Sequence, residues 1–371
     1  MASEPDRQNQ LVLPDYDGAC ISNVVPALLG ATEMPDWIPG PAVEADQVVL
    51  LCLDGLGWDQ LFEWGHLAPT LSGMVGQKIS TVVPSTTATA LSSLALGMTP
   101  GEHGLVGYRM MIEDEVLNVL RWATAKGDAR RRIPPSAIQP ESAFCGHMPP
   151  VIARSEFAIS GFSEAHLAGN RFAGWRTIAT LVHEVELHLG RGEPFVYAYY
   201  DGLDKVAHEY GLADHYEAEL YFIDQMVAEI ISRLPKGAAL VVTADHGQVD
   251  CRNGLRPLSP ELRSRVSGLS GEARFRWLHA IPGAESELLA IAAERHGHQA
   301  WVKSAEEVVD EGWFGSKVTD EARSRLGDVA LVPWEPIGFD DPDDTGLFQL
   351  VSRHGSVTGA EMWVPLLASL S

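Results

Sequence analysis

Cysteine is scarce in this chain. Cys20, Cys52, Cys145 and Cys251 stand far apart among 371 residues and never form a CxxC pair. That spacing argues against a disulfide framework or a thiolate metal site and leaves buried or inert thiols as the reading. Long apolar runs are also missing. No stretch approaches the ~18 residues of a membrane span, and the opening MASEPDRQNQLVLPDYDG has neither a basic nor an apolar leader region. A cytoplasmic protein without membrane contact is the expectation. Positive charge is the third shortage: 27 Lys and Arg face 50 Asp and Glu, giving a formal charge of -23. This argues against a nucleic-acid-binding surface, which needs a basic face. An anionic substrate would gain nothing from the global field, so local cations must attract it.

What is present is a globular composition, 46% hydrophobic and 21% charged, long enough for one large domain. VVLLCLDG (48–55), PFVYAYYDG (194–202) and ALVVTADHG (239–247) are apolar runs without alternation. Such runs predict strands buried on both faces of a parallel sheet. ISTVVP (79–84) predicts a further strand, Thr86 to Leu96 a helix, and the apolar spacing of 214–234 another helix. Strands alternating with helices predict an α/β fold: a mainly parallel central sheet with helices on both faces. Residues 1–371 read as a single such domain. The stretch 112–155 reads as an addition. Residues 255–335 hold FRWLHAIP, AESELLAIAAERHG, QAWVKS and DVALVPW, a β-α-β-like pattern expected to form a small inserted cap.

Ligands of parallel α/β sheets bind outside the carboxyl ends of the strands. Asp54, Asp245 and His246 fall at such ends, and Asp204 and His208 fall just past another. The i, i+4 spacing of Asp204 and His208 puts both on one helical face. His354 lies in RHGSVTG, and Thr87 follows Pro84 at the start of a helix, where the dipole favours developing negative charge. Ser85 and Thr86 are rival hydroxyls that spacing does not separate. Singly, each residue is an ordinary cap, turn or surface group. Together they supply the oxygen and nitrogen ligands that two divalent metals need, and so point to metal-assisted transfer of a phosphoryl-type group.

The elements LDGLGWD, PSTTATALSSLALGMTPGEHGLVGY, DKVAHEYG, TADHG and RHGSVTGAEMWVPLL occur in this order. In that order they resemble the alkaline phosphatase superfamily, most closely its nucleotide pyrophosphatase/phosphodiesterase branch. The resemblance implies Thr87 as nucleophile and a phosphothreonine intermediate. It implies one metal on Asp204, His208 and His354, and a second on Asp54, Asp245 and His246 with Thr87 as the reacting oxygen. Zinc is the usual metal, and the mixed ligands also suit manganese or iron. The implied substrate is a small phosphate ester or nucleotide-like molecule with a diester or pyrophosphate bond. Phosphonate, monoester and sulfate ester hydrolysis share the scaffold, as does a serine-dependent mutase. A metal-containing binding protein without turnover is the reading from outside enzymology.

Two positions depart from the branch. The Asn that commonly follows the HG of the PxxHG element is Tyr108 here, and a second Asn after the nucleophile is Ala90. Tyr108 and, more weakly, Arg109 are the candidate substrate-binding replacements. The cap and loops 56–66 and 104–125 are expected to select substrate, with Trp58, Trp64, Trp122 and Tyr108 as candidate stacking groups.

Overall fold

The computed structural model describes residues 11–252, 254–345 and 349–371. The amino-terminal stretch that bears on a leader sequence lies partly outside them. The three apolar runs become strands β1 (Gln47–Leu53), β5 (Phe195–Tyr200) and β6 (Ala238–Thr243), joined by β2 (Val75–Ser80), β3 (Pro150–Arg154), β4 (Arg171–Trp175) and β7 (Trp363–Leu370). They form one sheet in the order β2-β7-β6-β1-β5-β3-β4. Strands β4, β3, β5, β1 and β6 run parallel, and β7 pairs antiparallel with both β6 and β2. Every residue of β5 and β6 is buried, as a sheet covered on both faces by helices requires.

Four helices matter for the site: α1 (Thr87–Leu96), α2 (Ile178–Gly190), α3 (Gly202–Tyr210) and α4 (Asp214–Arg233). All ten residues of α1 are buried, so its Ala, Ser and Thr allow close packing on every side. It ends at Gly97, which takes the left-handed conformation (φ 67°) that stops a helix.

The register fixes where the polar residues emerge. Leu53 lies opposite Tyr200, and Cys52 opposite Thr243. Asp54, Asp201 and Asp245 therefore leave the sheet at one edge, within a residue or two of their strand ends.

Two expectations need correction, and one strand went unforeseen. The strand expected at 79–84 is Val75–Ser80. The chain leaves the sheet after Ser80 because Thr81 turns to bond the Met362 and Asp245 carbonyls. The stretch 112–155 is not wholly an addition: its last residues form β3, between β5 and β4. β4 gave no apolar run, since it carries exposed Arg171 and Gly174 at the sheet edge.

Residues 266–333 build a second, four-stranded sheet from Val266–Glu272, Phe275–Ala280, Ala300–Ser304 and Val329–Pro333. Its two faces alternate with period two. Phe275, Trp277, Ala330 and Val332 join the main core, while Leu278, Val329 and Leu331 join a separate cluster with Leu288, Ala292 and Phe339.

Candidate active site

At the carboxyl edge, side chains far apart in sequence meet in two groups that could each hold a cation. Asp54, Asp245 and His246 form one, and Asp204, His208 and His354 the other, with ligand atoms within 4.8 Å of one another in each. Asp204 and His208 sit one turn apart on α3, and His208 Nε2 lies 3.3 Å from Asp204 Oδ1. His246 Nε2 lies 3.5 Å from Asp54 Oδ1 and 3.3 Å from Asp245 Oδ2. The groups adjoin: the His246 and His354 rings stack with centroids 3.6 Å apart.

The imidazoles are oriented by backbone carbonyls. Nδ1 of His208 donates to Ser352 O (2.8 Å), Nδ1 of His354 to Ser85 O (2.9 Å) and Nδ1 of His246 to Gly247 O (3.0 Å). A carbonyl only accepts, so each Nδ1 carries a proton and each ring is left to turn Nε2 inward. Such outer bonds fix tautomer and direction at metal sites. The carboxylates are held in the same way. Tyr199 donates to Asp54 Oδ2, Gln248 to Asp204 Oδ1, and the amides of Gly55 and His246 to Asp245 Oδ1 at 3.1 and 3.0 Å. Among the described residues, nothing donates to Asp54 Oδ1 or Asp245 Oδ2, although both are buried. Burial, then the neighbouring carboxylates, push the Asp54 carboxyl well above its ordinary pKa. Burial also raises the Asp245 carboxyl above its ordinary pKa. Burial and the adjacent His246 and His208 hold His354 well below the usual imidazole value, hence neutral. Lone pairs and acid oxygens facing each other at such distances repel unless a cation lies between them. The donor set fits divalent metal at both groups.

Thr87 opens α1. Its N-cap Thr86 is extended and makes no side-chain capping bond, so the helix presents an open positive end. Thr87 Oγ1 lies 3.1 Å from His246 Nε2. Ser85 is turned away: its hydroxyl donates to Ser356 O at 2.6 Å. The Thr86 hydroxyl engages Glu272.

Two cavities meet at Thr87. One, of about 190 Å³, is lined by Asp54, Leu91, Leu120, Phe157, Phe162 and Tyr199 among others and is mainly apolar. The other, of about 240 Å³, is lined mostly by polar residues, among them Thr86, Tyr108, Glu272, Arg353 and the group Asp204, His208 and His354. Tyr108 faces this second cavity, its hydroxyl accepting from Asn118 at 2.6 Å. Arg109 does not line either cavity. It is buried and its guanidinium pairs with Asp341. Of the tryptophans, Trp122 is fully buried and donates to Ile133 O, and Trp64 packs on Tyr216. Trp58 packs on the core and lines neither cavity. Ala90 is buried in α1.

Sequence reading missed Tyr199, Gln248, Glu272, Arg353 and the aromatic lining of Phe157 and Phe162. Gln248 and Arg353 carried a usable signal, two residues past His246 and one before His354. The others did not, since Tyr199 lies inside a strand, Glu272 at a distant hairpin, and Phe157 and Phe162 on short helices.

The fold is that of alkaline phosphatase-like enzymes, with the polar groups at the expected edge of the sheet. Murine ectonucleotide pyrophosphatase/phosphodiesterase 5 superposes with a TM-score of 0.66 at 18% identity, covering 87% of both chains. The human protein of the same name gives 0.67 at 17%, again over 87% of each. Phosphonoacetate hydrolase from Sinorhizobium meliloti 1021, in complex with phosphonoformate, gives 0.63 at 17% over 90% of each. No curated relative matches the chain by sequence. The family model for type I phosphodiesterase / nucleotide pyrophosphatase matches residues 48–335, so the chain belongs to that family.

Proposed function

We propose that the protein is a metal-dependent hydrolase of phosphodiester or pyrophosphate bonds that works through a phosphothreonine intermediate on Thr87. The observation that carries this reading is the meeting of Thr87 Oγ1, at an open helix start, with two adjoining ligand groups. Two divalent ions, zinc or else manganese or iron, would be held by Asp54, Asp245 and His246 and by Asp204, His208 and His354. Bound there, they supply positive charge that lowers hydroxyl and water pKa values and steadies apical oxygens. Thr87 Oγ1 attacks phosphorus in line and water then hydrolyses the ester. The amino end of α1 holds a phosphoryl oxygen with backbone N–H groups, which the absent Asn residues would otherwise share. The hydroxyl of Tyr108 is a second donor at the same cavity. Among the neighbours in fold, an inactive variant of the murine protein is described in complex with AMP. A nucleotide-like or aryl group suits the apolar cavity beside Thr87, where Phe157 and Phe162 replace the tryptophans as candidate stacking groups.

The test is a panel of nitrophenyl substrates: bis-ester, mono-ester, phenylphosphonate and sulfate, each with zinc and with manganese. The expected result is fastest turnover of the bis-ester and acid-stable phosphate on Thr87 after rapid quench. Turnover confined to the mono-ester or phosphonate would replace the diester reading. Silence across the panel with metal bound would replace catalysis with binding. No helix among the described residues is long and apolar enough to cross a membrane. A small phosphate ester is the proposed partner, in keeping with the AMP and phosphonoformate that the neighbours in fold are described with.

A further inference from the structure

The apolar cavity carries a polar group that the chemistry above leaves without a task. His166 ends the short helix Gly161–His166, which packs beside α1. It lines the cavity together with Thr87 and with Leu91, one turn further along α1. The residue is 4% exposed, and burial lowers its pKa to about 4, so the ring is uncharged near neutral pH. Its Nδ1 donates to Phe162 O at 2.6 Å, which places the ring proton there. The ring also stacks on Phe162, with centroids 3.9 Å apart. These two contacts fix both tautomer and tilt. Among the described residues nothing bonds Nε2, which stays accessible from the cavity as a bare lone pair.

The neighbouring polar groups of the same wall are already engaged. Tyr199 donates to Asp54, and the Tyr197 hydroxyl engages Cys52. Asp201 forms ion pairs with Arg154 and Lys205. Ser160 Oγ accepts from Ser163 N and donates to Ser163 Oγ, both at 3.0 Å. Leu120, Ala153, Phe157 and Leu167 supply hydrocarbon. Outside the two ligand groups, an aromatic ring in this cavity meets apolar walls and, at His166 Nε2, an acceptor that lacks a donor.

We infer that His166 selects the ring that enters this cavity, favouring an amino group on the ring edge, as in a 6-aminopurine, over a carbonyl oxygen in the same place. The inference rests on the hydrolase reading and on a nucleotide-like group lying beside Thr87. An amino N–H donates to the Nε2 lone pair. A carbonyl oxygen there brings lone pairs against a lone pair and leaves both buried without a donor. A site that supplies a fixed polar partner turns that loss into rejection. A ring with hydrogen at the position neither bonds nor repels, and falls between the two.

The test uses the metal-loaded enzyme and the 4-nitrophenyl esters of three nucleoside monophosphates: those of adenosine, inosine and purine riboside. Their rings carry amino, oxo and hydrogen at the same position, and the bond broken is the same in all three. Nitrophenol release is expected to fall in the order amino, hydrogen, oxo, with about tenfold in kcat/KM between the first two. His166→Phe keeps a ring to stack on Phe162 and removes the acceptor. Its spread across the three esters is expected to shrink to within about twofold, with metal content and melting temperature as in the wild type. The wild-type order decides the matter if that variant fails to fold. Equal wild-type rates, a preference for the oxo ring, or an unchanged spread in His166→Phe would each overturn the selection. A wild type that cleaves bis(4-nitrophenyl) phosphate but none of the nucleoside esters would overturn the selection alone. One that cleaves neither would overturn the hydrolase reading first and the selection with it.

Discussion

The molecule contains two sets of buried carboxylates, and they are treated in opposite ways. Glu361 is fully buried, yet both its oxygens are occupied. Arg274 Nε and Nη2 donate to it at 2.7 and 2.8 Å, Ser356 N at 3.0 Å, and Thr358 Oγ1 also donates. Arg274 in turn reaches the Glu335 and Ile337 carbonyls. Asp54 and Asp245 are as deeply buried, with His246 and Asp204 at hand, but among the described residues no Lys or Arg pairs with either, and each keeps one oxygen bare. The chain can neutralise a buried acid with its own residues and does so a short distance away. At the carboxyl edge of the sheet it builds outer support for the carboxylates and leaves their inner oxygens open. That difference marks a place prepared for a cation from outside.

The sharpest way to separate the two regions is to remove the reacting atom and keep both carboxylate sets. Thr87→Ala is expected to lower kcat by about 10³-fold or more, with fold and metal content retained. Full activity would move the nucleophile to Thr86. Breaking the satisfied pair comes next. Arg274→Met leaves Glu361 buried and unpaired and should cost about 3–5 kcal/mol of stability in denaturant unfolding. A loss below about 1 kcal/mol would mean that water reaches Glu361 and that the contrast is weaker than drawn.

Acid should act on the open set. Asp54 and Asp245 have raised pKa values, so cation binding must displace protons that they retain. Metal affinity should fall with decreasing pH, by about tenfold per unit for each proton released. Calorimetric titration in buffers of differing ionisation heat reads the proton count, and zero would contradict the electrostatics described. The smallest effect carries the opposite sign to Arg274→Met. Because the folded pKa of Asp54 is raised, its contribution to the metal-free fold is lost as pH rises through that value. Asp54→Asn cannot ionise, so the metal-free variant should melt higher than metal-free wild type above neutral pH, by about 1 kcal/mol equivalent. A lower melting temperature would show that Asp54 is satisfied in the metal-free protein.

Much of this was readable from the sequence because burial writes a simple signal. β1, β5 and β6 are covered on both faces and appear as unbroken apolar runs, so the acids that end them stand out. The i, i+4 pair on α3 was equally legible. The edge of the sheet was not. β2 is largely exposed and carries Gly76, Gln77 and Lys78, and β4 is mixed, so neither leaves an apolar run. Nor did the sequence reveal Arg109 as a buried partner of Asp341, 232 positions away. Glu272 was hidden for the same reason. It reaches the site through a hairpin whose own pattern describes only its sheet, and nothing local states that Gly355 makes room for it. Long-range closure, rather than local pattern, decides such residues.

Metal stoichiometry tests the central claim most directly. The purified chain, stripped with a chelator and reconstituted separately with zinc and with manganese, would be analysed by elemental mass spectrometry together with a double variant, Asp54→Asn with His208→Ala. The account predicts two tightly held ions per wild-type chain and neither in the double variant. Fewer than one ion per wild-type chain after reconstitution, or two in the double variant, would contradict it.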